Sequence, residues 1–484
     1  MQIKHQKTKE ILDVFAELSR IPRCSKNEEK IARWLQDWAK KNDFEVKTDQ
    51  VMNTVIKVPA SPGYEDAPVT VIQGHMDMVC EKTPDSPHDF SKDPIKFVYE
   101  GEWLTADQTT LGADNGIAIA MALVMATDES IQHPPLELLF TVDEETGLTG
   151  ANALQTGFIE GKVLLNLDSE DEGVFTVGCA GGINSYLSLP LDFEDTPGGY
   201  QDFKILCGGM KGGHSGIDIG MGKANAIQVL GRTLNALKQK CDLRIRDLKG
   251  GSAHNAIPRD AHALVCLPAD CQNPAQQIVT EIESVIRNEF SKVDPDLSIT
   301  LNPADDTGPQ CLTTGSTARL IDFILSIPHG VYAMSLDIDD LVETSNNFAN
   351  ISIEENQAKV LTSQRSSVLS RLKSLSNQIE AVARLGGGSA HSGDGYPPWP
   401  ADMDSPLLKR CVDLYKKLFQ KEPVVEIIHA GLECGIIGDK YEGMDMISLG
   451  PTLKYPHSPD EKIHVGTIGM VWDFVVKLLE DLKN

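Results

Sequence analysis

Apolar positions along the chain recur with two different periods. Two segments, residues 7–20 and 27–40, carry apolar side chains on one helical face, such as Ile11, Phe15 and Leu18 in the first. Short continuous apolar runs lie between the helical segments, at 69–72, 136–142 and 163–167. Runs of this length are typical of strands buried on both faces, so this part of the chain predicts an α/β sheet flanked by helices.

The start of the second helix has a capping signal. Ser25 is followed three residues later by Glu28, the spacing of a capping box. We expect these two side chains to bond the backbone of that helix.

The middle of the chain has a different pattern. A strand-like segment at 202–209 precedes an amphipathic helix at 223–240, and 351–366 predicts a hairpin. The Gly- and Pro-rich segment 386–400 is expected to lead the chain out of the inserted domain and back to the first one. Helices predicted at 405–420 and 467–482 then resume the pattern of the first domain. We predict a discontinuous α/β domain with a mixed sheet, residues 1–183 and 394–484, and an α+β domain inserted at 184–393.

Charge and cysteine usage narrow the class of protein. The 484 residues contain 44 Lys and Arg against 70 Asp and Glu, a net charge of −26, which disfavours nucleic acid and anionic membranes as partners. The ten cysteines form no C-x-x-C pair, so we expect free thiols in a reducing cytosol and no zinc ribbon. The N-terminal segment lacks the apolar core of a signal peptide, which favours a cytoplasmic location.

Acids and histidines follow the predicted strands. In open α/β sheets the carboxyl ends of strands form the ligand crevice, and acids or histidines come directly after three of the apolar runs. One further acid opens the helix after a Gly-rich turn, and one histidine lies late in the chain. The positions are His75, Asp77, Asp143, Glu144, Glu145, Asp168, Asp114 and His457.

This set of side chains suits a pair of metal ions. Carboxylates and imidazoles without thiolates are ligands for zinc, cobalt or manganese. Two ions about 3.5–4 Å apart need one bridging carboxylate and a few terminal ligands each. Five residues meet that count, namely His75, Asp114, Glu145, Asp168 and His457. Asp77 can hydrogen-bond the far nitrogen of the His75 ring and fix its tautomer.

The adjacent carboxylates of residues 143–145 repel one another, and a bound metal cation would offset this repulsion. One of the adjacent glutamates could bind a cation while its neighbour takes a proton from water. Each signal alone also has an ordinary interpretation. The His75–Asp77 pair could be incidental, the acidic run could be a solvated turn, and Asp114 could be a helix N-cap. Their joint position at strand ends favours the metal site.

The motifs together resemble a known family. GHMDMV, TLGADNG, DEETG, NLDSED, KGGHSG, NAIPRD, HAGLECG and GPTLKYPHSPDE are similar to segments of the metallopeptidase family that includes carnosinases, aminoacylase and glutamate carboxypeptidase. The resemblance runs over nearly the whole chain in one order. It implies that the inserted domain is a lid over the substrate and that the protein hydrolyses unblocked dipeptides, including Xaa-His.

The resemblance also implies residue roles. His75, Asp114 and Asp168 would hold one ion, and Asp114, Glu145 and His457 the other, with zinc as the favoured metal. Glu144 would be the general base, Asp77 would orient His75, and the Asp114–Asn115 peptide would be cis. His214 would stabilise the oxyanion. Substrate-side candidates are Asn255, Arg365, which would grip the terminal carboxylate, and Glu433, which would face the amine.

Some alternatives stay open. Arg365 could instead be a surface charge of the hairpin. The protein could be an N-acyl amino-acid deacylase or a tripeptidase of the same architecture, or a metal-binding scaffold without catalysis. The inserted domain could serve as a dimerisation platform, and we expect a homodimer. His214 could then act on its own subunit or on a neighbour.

Overall fold

The computed structural model describes residues 5–305, 308–336 and 338–483. The chain forms two compact units, the first made of Met1–Cys179, Trp399–Ile427 and Leu432–Asn484, and the second of Ala180–Pro398 and Ile428–Gly431. The second unit is therefore inserted into the first, with boundaries several residues outside the expected 184–393. The short segment Ile428–Gly431 lies in the second unit, although its sequence position falls in the last part of the first.

The first unit begins with helices and strands in alternation. In chain order its helices are α1 (Gln6–Leu18), α2 (Glu29–Lys41), α3 (Ala113–Thr127), α4 (Glu144–Gly147) and α5 (Thr149–Ala153). Its strands up to the insertion are β1 (Glu45–Thr48), β2 (Thr54–Val58), β3 (Thr70–His75), β4 (Phe97–Glu100), β5 (Trp103–Ala106), β6 (Leu136–Thr141), β7 (Val163–Asn166) and β8 (Val174–Cys179).

The second unit is an α+β structure. Its strands are β9 (Gly181–Pro190), β10 (Phe193–Asp195), β11 (Tyr200–Gly208), β12 (Gly213–His214), β13 (Arg244–Gly250), β14 (Ala256–Ile257), β15 (Ala261–Pro268), β16 (Ser298–Pro303), β17 (Gln310–Leu312), β18 (Gly330–Met334), β19 (Val342–Glu354), β20 (Gln357–Ser366) and β21 (Ser389–Ser392). Its helices are α6 (Ala226–Lys238), α7 (Gln272–Glu289), α8 (Thr314–Ser326) and α9 (Leu369–Leu385).

The chain then completes the first unit. The remaining elements are α10 (Pro406–Phe419), β22 (Val424–Ile428), α11 (Glu433–Lys440), β23 (Asp445–Ser448), β24 (Leu453–Lys454), β25 (Lys462–His464) and α12 (Val465–Asp481).

The main sheet of the first unit is mixed. Within the described residues it has eight strands in the order β1-β2-β6-β3-β7-β23-β8-β22. Strands β6, β3, β7 and β23 run parallel, whereas β1, β2 and β8 pair antiparallel with their neighbours. Strand β3 is buried along its whole length, as the continuous apolar run predicted. Nearly every residue of α3 is buried, and α3 shares the core against the sheet with α1, α2, α10 and α12.

The second unit has its own sheet and core. Strands β16-β11-β15-β13-β19-β20-β9-β21 form one sheet, to which β18 adds through β19, as far as the described residues go. Helices α6, α7, α8 and α9 contribute apolar side chains such as Leu230, Val279, Ile324 and Ile379 to its core. The segment 386–400, expected to be a connection between the two domains, contains β21, which is an edge strand of this sheet.

Two predictions about local chemistry are wrong. Ser25 and Glu28 do not form a capping box, because α2 begins at Glu29 without a side-chain cap. Cys24 and Cys80, expected as free thiols, form a disulfide with a Cα–Cα distance of 5.7 Å, while the other eight cysteines keep their thiols. The pairing follows from tertiary structure, since the segment before α2 lies along the chain after β3, where the N–H of Met78 donates to the Arg23 carbonyl at 3.1 Å. In the part of the chain that is described, no helix is long and apolar enough to cross a bilayer.

Candidate metal centre and active site

The carboxyl ends of three parallel strands bring the predicted site residues together. Strand β3 lies between β6 and β7, with His75 opposite Thr141 and Gln73 opposite Asn166. His75 ends β3, the acidic run follows β6, and Asp168 follows β7. Because parallel strands end at the same edge of a sheet, residues far apart in sequence meet there.

Asp114 enters this edge from the start of α3. Its backbone is non-helical, with φ −79° and ψ 106°, and the Asp114–Asn115 peptide is cis, as the resemblance implied. The backbone N–H groups of residues 111–114 all donate to the carboxylate of Glu461, at 2.7–3.3 Å. A buried carboxylate thus satisfies the first amides of α3, where the helix dipole also favours negative charge.

The Asp114 carboxylate lies between two imidazoles. Its Oδ1 is 3.0 Å from Nε2 of His75, and its Oδ2 is 3.2 Å from Nε2 of His457. Asp168 Oδ1 lies 3.5 Å from the same nitrogen of His75, and Glu145 Oε2 lies 2.9 Å from Nε2 of His457. The structure therefore arranges the five predicted ligands as two sets that share Asp114.

These donors fit a pair of divalent cations. One ligand atom from each of His75, Asp114 and Glu145 lies within 4.8 Å of the other two. Glu145 Oε1 is buried and has no hydrogen-bond partner among the described residues, as expected for an oxygen that binds a cation. Imidazole nitrogens and carboxylate oxygens at this density suit zinc, cobalt or manganese.

The acids and histidines of the cluster shift one another's pKa values. Burial opposes protonation of His457, but hydrogen bonds to Asp114 and Glu145 raise its pKa to about 11. Burial acts against ionisation of Asp114, yet the two histidines lower its pKa. Burial, followed by the charge of Asp114, raises the pKa of Glu145. Positive charge among the acids is thus stabilised in this cluster, and a metal ion would supply it in place of protons.

Asp77 organises the residues around the ligands. Its Oδ1 lies 3.2 Å from Nδ1 of His75 and accepts the backbone N–H of Glu144 at 3.0 Å. Its Oδ2 accepts the Ser25 hydroxyl at 2.8 Å and the N–H of Glu145 at 3.3 Å. One buried carboxylate therefore orients both the ring of His75, a predicted ligand, and the turn that carries the acidic run.

The acidic turn is held in place from its other side as well. Glu28 accepts the N–H of Asp143 at 3.0 Å, and Asp143, at a left-handed φ of 49°, accepts the hydroxyls of Thr146 and Thr149. This is why Glu28 does not cap α2. Glu28, Asp77 and Asp143 lie close together, but backbone and hydroxyl donors satisfy them.

Glu144 has the properties of a proton acceptor beside the cluster. Burial, reinforced by Glu145 and Asp168, raises its pKa well above its ordinary value, against the opposing charge of His75. A carboxyl with a raised pKa both accepts and donates protons more readily near neutral pH.

Two buried charges that support the site were not singled out from the sequence. Arg23 is 2% exposed, and its guanidinium donates to the carbonyls of Met76, Asp77 and Gly112. Glu461 holds the start of α3, as described above. The only sequence signal for Glu461 was its place four residues after His457 in GPTLKYPHSPDE, and Arg23 gave none.

The second unit contains the predicted oxyanion-stabilising residue, His214, and two of the substrate-side candidates, Asn255 and Arg365. His214 lies in β12, paired with Ala256 of β14, and its Nδ1 accepts the N–H groups of Gly216 and Ile217 at 3.3 and 3.1 Å. A neutral ring that accepts at Nδ1 carries its proton on Nε2. The ring therefore presents Nε2 as a donor, as stabilisation of an oxyanion requires.

Arg365 is buried rather than a surface charge of the hairpin. It is 6% exposed in β20, and its guanidinium donates to the Tyr396 hydroxyl at 2.9 Å. Asn255 is exposed in the turn before β14, where its carbonyl accepts the N–H of Ser215 at 2.7 Å. His429, which the sequence did not single out, is buried with its Nε2 2.7 Å from the Ser345 hydroxyl. Burial, followed by the charges of Arg365 and His214, lowers the pKa of His429 to about 3.

Glu433 lies in the first unit, at the start of α11. It is fully buried, and its Oε2 accepts the Gln73 amide and the Thr141 hydroxyl, both at 2.6 Å. Contact with a substrate amine would require these bonds to open, so that role stays a prediction.

The chain is similar over nearly its whole length to known proteins. The profile of peptidase family M20/M25/M40 matches residues 71–481. The cytosol non-specific dipeptidase of Escherichia coli (strain K12) is 39% identical over 471 residues, 97% of each chain. The crystal structure of aminoacylhistidine dipeptidase from Vibrio alginolyticus matches with a TM-score of 0.84 and 40% identity, covering 98% of this chain and 96% of that one. Aminopeptidase PepT from Bacillus cereus shares the fold, with a TM-score of 0.56 and 16% identity over 99% of both chains.

Proposed function

Because the chain belongs to peptidase family M20/M25/M40, we propose that it is a metal-dependent dipeptidase that hydrolyses unblocked dipeptides, Xaa-His among them. The observation that carries the proposal is the Asp114 carboxylate, whose two oxygens lie 3.0 and 3.2 Å from the imidazoles of His75 and His457. Dipeptides are favoured as substrates because two relatives that are 39% and 40% identical over nearly the whole chain are named as dipeptidases, one of them for aminoacylhistidine.

We assign the metal ligands in two sets. His75, Asp114 and Asp168 hold one ion, and Asp114, Glu145 and His457 hold the other, with zinc as the proposed metal and cobalt or manganese able to replace it. When bound, the ions polarise the scissile carbonyl and make the attacking water more acidic.

Glu144 moves the proton. Its carboxylate takes a proton from the attacking water as the oxygen bonds to the carbonyl carbon, and then gives that proton to the nitrogen as the C–N bond breaks. Asp77 sets the geometry for this transfer, because it accepts the Glu144 N–H at 3.0 Å. The same carboxylate keeps the His75 ring oriented.

The second unit supplies the substrate contacts. His214, with its proton on Nε2, donates to the oxyanion that forms at the attacked carbonyl. Arg365 binds the terminal carboxylate of the dipeptide, because a guanidinium matches a carboxylate with two parallel donors. Asn255 contacts the substrate backbone from the turn before β14.

We also propose that the enzyme acts in the cytoplasm as a homodimer. The name of the Escherichia coli relative supports the location. An exposed apolar strip on β18 supports a contact between copies, since Val331, Tyr332 and Met334 are 41%, 54% and 45% exposed. A Tyr332→Glu variant that stays dimeric in light scattering would rule out this strip as the interface.

The decisive experiment is hydrolysis of a free Xaa-His dipeptide by the purified protein. We expect activity to be lost after chelation and restored by zinc or cobalt. N-acyl amino acids and tripeptides, tested in parallel, should be poor substrates.

Other outcomes of this experiment identify the alternatives. Preference for a blocked amine would make the protein a deacylase, and preference for three residues would make it a tripeptidase. A folded, fully metallated protein that cleaves none of these substrates would overturn the enzymatic proposal.

A further inference from the structure

A buried polar group lies beneath the metal ligands in the main sheet. It consists of Glu433, Gln73, Thr141 and Asn166, each no more than 1% exposed. Glu433 accepts from Gln73 and Thr141 at 2.6 Å each, and the Asn166 amide donates to Gln73 Oε1 at 2.5 Å. One carboxylate thus connects β3, β6 and, through Gln73, β7.

The strand members of this group stand directly before site residues. Gln73 precedes His75 by two positions, and Asn166 precedes Asp168 by two. Thr141, which pairs with His75 across the two strands, precedes the acidic run by two. Gln73 and His75 both lie in β3, and residues two apart on a strand point to the same face. Thr141 and Asn166 are the last residues of β6 and β7, so a shift of either strand along its axis moves the site residues that follow its end.

An apolar group would fill this space without the cost of a buried charge. Buried polar groups instead fix register, because their hydrogen bonds form in only one alignment of the strands. Glu433 is well placed for that function, since it comes from α11, outside the three strands.

We propose that Glu433 is a positioning residue that fixes the relative register of β3, β6 and β7 and thereby the spacing of His75, Glu144, Glu145 and Asp168. This inference rests on the proposed function of those four residues. Glu433 does not touch the substrate in this role; it acts through Gln73 and Thr141.

A positioning role of Glu433 and a contact between Glu433 and the substrate amine predict different effects on kinetics and metal binding. Loss of an amine contact raises KM for free dipeptides and leaves metal binding unchanged. Loss of a positioning residue lowers kcat and metal affinity, changes KM little, and alters the environment of the metal.

The test compares Glu433→Ala, Glu433→Gln and Thr141→Val with wild type. The readouts are kcat and KM for a free dipeptide, zinc affinity by competition with a chelator, and the visible absorption spectrum of the cobalt-loaded protein. For Glu433→Ala we expect kcat and zinc affinity to fall by about 10- to 100-fold, KM to change less than about threefold, and the cobalt spectrum to change. Glu433→Gln retains one acceptor oxygen and should recover most of the loss.

The control is Glu137→Gln. Glu137 is a buried glutamate on β6, 2% exposed, that accepts the N–H groups of Glu160 and Gly161 at 2.7 and 3.0 Å. It lies at the opposite end of the strand from the site, so its variant should keep wild-type zinc affinity and cobalt spectrum. If Glu433→Ala fails to fold, the test relies on Thr141→Val, which removes one hydrogen bond to the Glu433 carboxylate. This variant should change kcat, zinc affinity and the cobalt spectrum in the same direction but by a smaller amount.

Two results would overturn the proposal. One is a raised KM in Glu433→Ala with unchanged zinc affinity and cobalt spectrum, which would assign Glu433 to the substrate. The other is wild-type values throughout in Glu433→Ala, or in Thr141→Val if the first variant is unfolded. Failure of the underlying site assignment would be seen separately, as full activity of Glu144→Gln in the same assay.

Discussion

The Asp77 carboxylate accepts the backbone N–H of Glu144 at 3.0 Å, although the two residues are 67 positions apart in sequence. The same oxygen lies 3.2 Å from Nδ1 of His75. One oxygen atom thus aligns the ring of a proposed metal ligand, His75, with the backbone of the proposed base, Glu144. The geometry of the proton transfer and of the metal site therefore cannot vary independently.

Asp77→Asn should impair both functions of that atom. The NH₂ group of the amide would replace one of two acceptor oxygens. It would stand either at Oδ1, against the His75 ring and the Glu144 N–H, or at Oδ2, against the Ser25 hydroxyl and the Glu145 N–H. We expect kcat/KM and zinc affinity to fall by about 10- to 100-fold, measured by dipeptide hydrolysis and chelator competition. Asp473→Asn, at a 57% exposed carboxylate on α12, should have no effect.

Glu144→Gln should separate proton transfer from metal binding. The variant keeps the size of the side chain but cannot accept the proton, so kcat should fall by about 10²- to 10⁴-fold. KM and zinc content should stay near wild type. Glu145→Gln is the matched comparison, since it removes a proposed ligand and should lose zinc. Normal turnover in Glu144→Gln would contradict its assignment as the base.

Glu461→Gln should destabilise the start of α3. Glu461 accepts four backbone N–H groups, and a Gln amide would direct donors against some of them. We expect a loss of about 2–4 kcal/mol in the free energy of unfolding, measured by urea titration, together with weaker zinc binding through Asp114. Glu160→Gln, at a 60% exposed side chain, should leave both unchanged. Equal effects of the two substitutions would exclude a specific role of Glu461.

The second unit should lose stability as the solution becomes acidic. Burial lowers the pKa of His329 from 6.5 to about 4, and its Nδ1 accepts the Asn225 amide and the Phe348 N–H. A histidine with a lowered folded pKa contributes its full stability above pH 6.5 and loses it as the pH falls toward 4. The loss for this residue approaches roughly 3 kcal/mol, at about 1.4 kcal/mol per pH unit.

The variant His329→Asn checks this effect, because its side-chain oxygen can accept the same donors without titrating in this range. Thermal unfolding from pH 8 to pH 4 should show a smaller decline than in wild type, with the two proteins compared first at pH 8. An unchanged pH dependence would show that another group is responsible.

The disulfide should be visible in a thiol count. All ten cysteines lie in the described part of the chain, and eight of them carry thiols rather than a disulfide. The denatured, unreduced protein should react with about eight equivalents of a thiol reagent, and the reduced protein with about ten. Cys24→Ser should give nine without reduction, since it frees Cys80. Ten equivalents before reduction would show that the bond does not form.

The sequence by itself determined the secondary structure of the strands and helices that carry the site. The apolar runs gave β3, β6 and β7, and an acid or histidine after each run indicated the metal-binding edge, because burial on both faces and parallel strand ends leave a clear local pattern. The expected positions of His75, Glu145 and Asp168 follow from that pattern. The resemblance was needed to predict that Asp114 is shared by both ions and which of the two ions His457 binds.

Only the tertiary structure decided where the supporting side chains point. Ser25 bonds Asp77, Glu28 bonds Asp143, and Glu461 bonds the start of α3, in each case across 50 residues or more. The Cys24–Cys80 disulfide and the burial of Glu433 also depend on which distant segments pack together. Periodicity reports which face of an element is buried, but a hydrogen-bond partner depends on which distant segment packs there, and the packing of the whole chain sets that choice.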